Sequence, residues 1–146
     1  MDEEPVEGQR LIRLSWWLTG IFVVTSAVAL VVEGFRSVAA VIDLILFAIG
    51  VVAFLAAFFR AVGRSREELI GVGGLYFLAG CAPRSVRMHL LGALAVQVVV
   101  ALLAASLAPF TSLAFGILVP MLGLGLSGWW GARYGTFPPR PQPAPG

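Results

Sequence analysis

The chain has 146 residues, 59% of them hydrophobic and only 12% charged, with a formal net charge of +2. A soluble domain carries about 25% charged residues, and eight acids with ten bases cannot cover a globule of this size while the rest stays inside. The composition excludes an ordinary water-soluble domain, and the small net charge, with its bases at the borders of apolar runs, argues against a nucleic-acid partner.

A hydrocarbon core of about 30 Å needs about 20 apolar residues rising 1.5 Å each. After a short acidic leader, residues 1–9, four runs meet that requirement. The first extends from Leu14 to Val32 and the second from Val38 to Phe59, interrupted only by Asp43. The third covers Leu90 to Leu107 and the fourth Leu113 to Trp130. They are continuous rather than striped, as expected of helices facing lipid or other helices on every side. The predicted fold is all-α: an integral membrane four-helix bundle forming a single membrane domain over residues 1–136.

Ala27-Val28-Ala29 has the small residues of a signal cleavage site, but the start Met1-Asp2-Glu3-Glu4 is acidic and the apolar run continues past it. The first run is therefore read as a span. Between the second and third runs, Leu69 to Ala82 is apolar but only fourteen residues long, about 21 Å as a helix and too short to cross. Ser65-Arg66-Glu67-Glu68 before it has the form of a capping box. An interfacial or re-entrant segment over about 66–82 is expected, with a short imperfect helix weakened by Gly71, Gly73, Gly74 and Gly80 and a restart at Pro83. From Phe137 the chain reads FPPRPQPAPG, a proline-rich composition that predicts a disordered tail over 137–146.

Arg10 and Arg13 precede the first run; Arg60, Arg64, Arg66, Arg84 and Arg87 lie in the central loop; Arg133 and Arg140 follow the fourth run; only Arg36 falls on the other side. The positive-inside bias puts both termini and the central loop in the cytoplasm of a plasma-membrane protein. Trp16, Trp17, Trp129 and Trp130 fall at the same predicted boundary, where aromatic rings prefer the headgroup level.

Residues 123–128 spell GxGxxG, but a dinucleotide fingerprint needs a preceding strand, which an intramembrane run does not supply. The same residues place Gly123, Ser127 and Gly131 four apart, a small-xxx-small face on which another helix, in the bundle or in a second copy, can approach closely. Pro120 one turn earlier is expected to kink that helix. Leu78-Ala79-Gly80-Cys81 has the form of a lipobox but is internal and is read as chance. Cys81 and His89 have no carboxylate placed to orient the histidine. Neither catalytic residues, nor a metal-ligand set, nor a cofactor site can be drawn from the sequence.

Asp43 is the one acid inside a span. An intramembrane carboxylate is costly and marks an ion path, a proton relay or a partnered bundle residue. It lies about 7.5 Å from the start of its run, at a level shared with Ser26 and Ser106. A polar cluster or a snorkelled carboxylate is the bland expectation. Gln97, nearer the cytoplasmic half, is expected to bond between helices.

The stretch VPMLGLGLSGWWGARYGTFPPR after Leu118 and the loop IGVGGLYFLAGCAPR resemble segments of small, uncharacterised four-span integral membrane proteins of actinobacterial type. The resemblance extends from about Leu69 to the C-terminal prolines and implies membrane location and topology alone. The chain differs from the small multidrug transporters, another four-span class, in having no acid within its first span. The leading expectation is a non-enzymatic accessory or assembly subunit acting through helix–helix contacts, with the lipid bilayer and a homo-oligomer or larger membrane complex as partners. The alternative is a small ion- or proton-coupled transporter using Asp43.

Overall fold

The computed structural model describes residues 8–146; most of the acidic leader lies outside them. Helix α1 is Gln9–Val31, α2 is Arg36–Arg64, α3 is the short Val72–Phe77, α4 is Arg84–Leu107 and α5 is Pro120–Tyr134, with 3₁₀ turns at Glu33–Phe35 and Ser112–Leu118. Four helical segments, at Gln9–Val31, Glu33–Arg64, Arg84–Leu107 and Ser112–Tyr134, are long and apolar enough to cross a membrane.

The inward faces follow the helical period. On α1 they carry Ser15, Thr19, Phe22, Ser26 and Ala29, and on α4 Val86, Leu90, Ala93, Gln97, Ala101 and Ala104. The outward face of α1 carries Trp17, Ile21, Val24 and Val31. Small and polar side chains inside with large apolar ones outside is the distribution expected where hydrocarbon is the solvent and helices associate through small residues and interhelical hydrogen bonds.

Helix α5 is the most enclosed, with Leu122, Gly123, Leu126, Ser127, Gly128 and Trp130 among its buried residues. Its closest neighbour is α2, at paired glycines: a Cβ on Gly50 would lie 2.5 Å from the Leu122 amide nitrogen, and one on Gly125 would strike the Gly50 carbonyl oxygen. Trp130, expected in an interfacial belt, instead packs in the core with Leu78, Val86 and Leu90.

The fourth run is not one kinked helix. Ser112–Leu118 is 3₁₀ and α5 begins afresh with Pro120 in its first turn. Proline has no N–H to donate and clashes with the carbonyl four residues before it, so it starts helices better than it continues them. The chain ahead of it closes by shorter bonds, with Val119 N–H on the Gly116 carbonyl at 3.1 Å.

The central segment, called the plug below, packs against α5 and the end of α2. Ser65 ends α2 instead of opening a helix: its N–H reaches the Ala61 carbonyl at 2.8 Å and its hydroxyl the Val62 carbonyl at 2.7 Å. Glu68 does not fold back as a capping-box partner, because Arg64 holds it at 2.7 Å. The helix that follows is only α3, six residues long. Its Tyr76 ring stacks on Phe54 at 4.3 Å between centroids, and its hydroxyl donates to the Phe54 carbonyl at 3.0 Å. Leu75, Tyr76 and Leu78 are buried, fitting against Gly128 and Gly131 of α5.

Arg64 also donates to the Ala132 and Gly135 carbonyls, both at 2.9 Å, satisfying the C-terminal carbonyls of α5 with a cation, which suits the helix dipole. The proline-rich segment, expected to be disordered, has its first residues bonded to the plug. Leu69 N–H donates to the Pro138 carbonyl and Arg140 N–H to the Glu67 carbonyl, both at 2.8 Å, while Phe137 lies under the Arg64 guanidinium. Prolines lack donors but keep their carbonyls, and here the neighbouring strand of chain supplies the N–H.

Candidate functional site

Asp43 lies on the inward face of α2, only 1% exposed. Ala39, about one turn earlier, belongs to an apolar cluster with Ala29, Ala104 and Leu113; Leu46, about one turn later, belongs to another with Phe22, Leu122 and Leu126. The carboxyl sits between these layers. It faces Gly116 in the 3₁₀ stretch: a Cβ there would lie 3.4 Å from Asp43 Oδ2 and 3.3 Å from the Phe22 ring. The missing side chain at Gly116 leaves the space that the carboxyl and the ring edge share.

The bland expectations for Asp43 are not met. Burial excludes snorkelling, and neither carboxyl oxygen has a hydrogen-bond partner among the described residues. Ser26 is buried on α1, one turn beyond Phe22, but its hydroxyl is likewise unpaired. Ser106 is exposed on the outward side of α4, so the expected Asp43–Ser26–Ser106 cluster does not assemble. Arg36 is engaged elsewhere, donating to the Ala29 carbonyl at 3.3 Å and pairing with Glu33 at 3.8 Å. A buried polar group without a protein partner costs several kcal/mol.

Gln97 forms the interhelical bond expected of it, and more. Its Nε2 donates to Thr19 Oγ1 at 2.8 Å, Thr19 donates in turn to the Ser15 carbonyl at 2.7 Å, and Gln97 Oε1 accepts the Gly123 amide at 2.9 Å. One side chain on α4 thus ties α1 to the first turn of α5, where amides are short of partners. The knot lies next to the Asp43 region, since Thr19 is about one turn from Phe22 on α1.

The small-residue face is occupied within the chain. A Cβ at Gly123 would lie 2.7 Å from Gln97 Oε1 and 3.0 Å from Leu94 Cα, and one at Gly131 would lie 2.5 Å from the Leu75 carbonyl oxygen. Ser127 is fully buried. Gly123, Ser127 and Gly131 therefore seat α4 and the plug against α5. The GxGxxG residues lie wholly inside α5. Cys81 is buried and donates to the Gly74 carbonyl at 2.9 Å, whereas His89 is exposed on α4, and no hydrogen bond joins them. No group of three or more His, Cys, Asp or Glu side chains placed to hold a metal occurs among the described residues.

Thr19, Phe22 and Gly116 complete the site and were not singled out in the sequence. Thr19 was legible as one of three hydroxyl residues, with Ser15 and Ser26, spaced along one face of an otherwise apolar run. Gly116 carried no such signal, because its role depends on which residue faces it. No known family model, curated protein or solved structure matches the chain, and nothing among these comparisons bears on the resemblance noted above.

Proposed function

We propose that the protein is an integral membrane four-helix bundle, with both termini and the plug on the cytoplasmic side, and that it is a small ion- or proton-coupled membrane protein whose working group is Asp43. Membrane residence is supported by the four apolar helices and the large apolar side chains on their outward faces; the orientation is supported by the arginine asymmetry. The observation that carries the functional reading is a fully buried carboxyl with both oxygens unpartnered, set beside a 3₁₀ break in the fourth span. The carboxyl lies toward one end of the bundle, the eighth residue of α2, and an intramembrane carboxyl that is neither snorkelled nor clustered marks an ion or proton path. The proton is the favoured ion, because a single carboxyl can bind and release one without further side-chain ligands; among the described residues no group of three or more His, Cys, Asp or Glu accompanies Asp43.

The test is infrared difference spectroscopy on the full chain in lipid. A carboxyl C=O band that responds to bulk pH and disappears in Asp43→Asn supports the reading. Its retention in Asp43→Asn, or the absence of any such band assignable to a buried carboxyl, rejects it.

A second reading, an accessory or assembly subunit, rests on a different observation. The most apolar stretches of the first, second and third spans are only 33%, 28% and 28% buried, leaving broad faces to meet a partner. That partner would dock on an outward face such as that of α2, with Val41, Ile45 and Val52 exposed, because the small-residue face is already filled. Recovery of a defined homo-oligomer or specific complex from mild detergent supports this reading, and recovery as a monomer alone rejects it.

A further inference from the structure

An open groove of about 960 Å³ runs along α1 where it meets the start of α4, at the upper end of the size of ligand-binding sites. Its two ends differ in chemistry. At the end near the chain's N-terminus lie Gln9, Arg13, Ser85 and His89; further along α1 the wall is Trp16, Gly20, Ile21 and Val24. Among the described residues, Arg13 and His89 have no hydrogen-bond or ion-pair partner, and none of those lining the groove is a carboxylate. From Arg13 to Val24 the helix rises about 16 Å, which is the hydrocarbon depth of one leaflet of a bilayer about 30 Å thick.

We infer that this groove binds an anionic phospholipid from the leaflet on the side of the two termini, its phosphate at Arg13 and His89 and an acyl chain along Gly20 to Val24. The charge fits one occupant: a basic, hydrogen-bonding mouth between helices at the headgroup level recognises an anionic lipid head, with Trp16 and Trp17 at the level where aromatic rings favour the interface. Gly20 is the element that keeps the wall open, since a Cβ there meets no atom within 4 Å. The inference needs the spans to lie in a bilayer and is independent of the role given to Asp43.

The full chain, reconstituted in phosphatidylcholine bilayers, is titrated with brominated phosphatidylglycerol or brominated phosphatidylcholine while tryptophan fluorescence is read. The anionic probe is expected to quench Trp16 and Trp17 at an at least tenfold lower mole fraction than the neutral one. Arg13→Gln weakens that preference about fivefold, the equivalent of about 1 kcal/mol for one basic side chain at the membrane surface, and Arg13→Gln with His89→Gln abolishes it. Gly20→Leu, which fills the groove without touching the bundle interior, reduces quenching by the anionic probe. Equal quenching by the two lipids, or an anionic preference unchanged in both Gly20→Leu and the double variant, overturns the inference. So does a dimer in those bilayers that Gly20→Leu disrupts, since that result assigns the groove to a second copy.

Discussion

The contact of α2 with α5 makes a differential prediction about glycine. A methyl group at Gly50 would lie 2.5 Å from the Leu122 nitrogen and 2.6 Å from its Cα. These are backbone atoms, so the two helices must part by about 1 Å to reach ordinary contact, and overpacking of that kind costs about 1–3 kcal/mol. Gly63, on the same helix, has no atom within 4 Å of the same position. There alanine gains up to about 1 kcal/mol of helix propensity. Gly50→Ala and Gly63→Ala make the same chemical change on one helix, yet their stabilities are expected to differ by about 2–4 kcal/mol, or roughly 8–16 °C at about 4 °C per kcal/mol for a chain of this length. Thermal unfolding in mild detergent, followed by circular dichroism, measures it. Equal midpoints for the two variants would refute the close crossing and, with it, the placement of α5 at the centre of the bundle.

Three further outcomes follow from other contacts. Gln97→Leu removes the bonds to Thr19 and Gly123 and is expected to destabilise the bundle by about 1–3 kcal/mol, given about 0.6–1.7 kcal/mol for each intramembrane hydrogen bond; denaturant titration in detergent reads it, and an unchanged midpoint contradicts the knot. Cys81 is buried, and desolvation raises its thiol above the usual range, with a backbone hydrogen bond and the charges of Arg64 and Arg87 pulling the other way. Since the thiolate is the reactive form, a maleimide at neutral pH is expected to label Cys81 at least tenfold more slowly in the folded protein than in denaturant. Arg64→Gln removes the bonds to Ala132 and Gly135, and hydrogen exchange is expected to show lost protection at the Leu69 and Arg140 amides, which bond the Pro138 and Glu67 carbonyls in the intact protein.

What the sequence made legible was length and apolarity: the four helical segments long and apolar enough to cross a membrane lie where continuous apolar runs reach 18 residues or more. Which face of each helix turns inward was harder to read, because these runs are apolar on nearly every face and periodicity in hydrophobicity fades. The signal that survives is size and polarity, as in Ser15, Thr19 and Ser26 on α1 or Ala93, Gln97 and Ala101 on α4. The break before Pro120 was half visible: the proline announced a disturbance, but its form depended on how Gly116 meets Asp43 and Phe22. Ser65 and Glu68 misled because a capping-box pattern is local, while the Arg64 that takes Glu68 also serves carbonyls about 70 residues away in sequence. The bonding of Phe137–Arg140 was hidden for the same reason: its partners come from the plug. Asp43 stood out at once as the lone acid in a span; its burial and lack of partners required the fold.

Proton movement through the protein tests the role of Asp43 most directly. In proteoliposomes carrying an internal pH-sensitive dye, an imposed pH gradient is expected to collapse at least tenfold faster with the wild-type chain than in empty vesicles, and at close to the empty-vesicle rate with Asp43→Asn at equal amounts of folded protein. The same rate for wild type and Asp43→Asn, or a wild-type rate no greater than that of empty vesicles, would contradict the account.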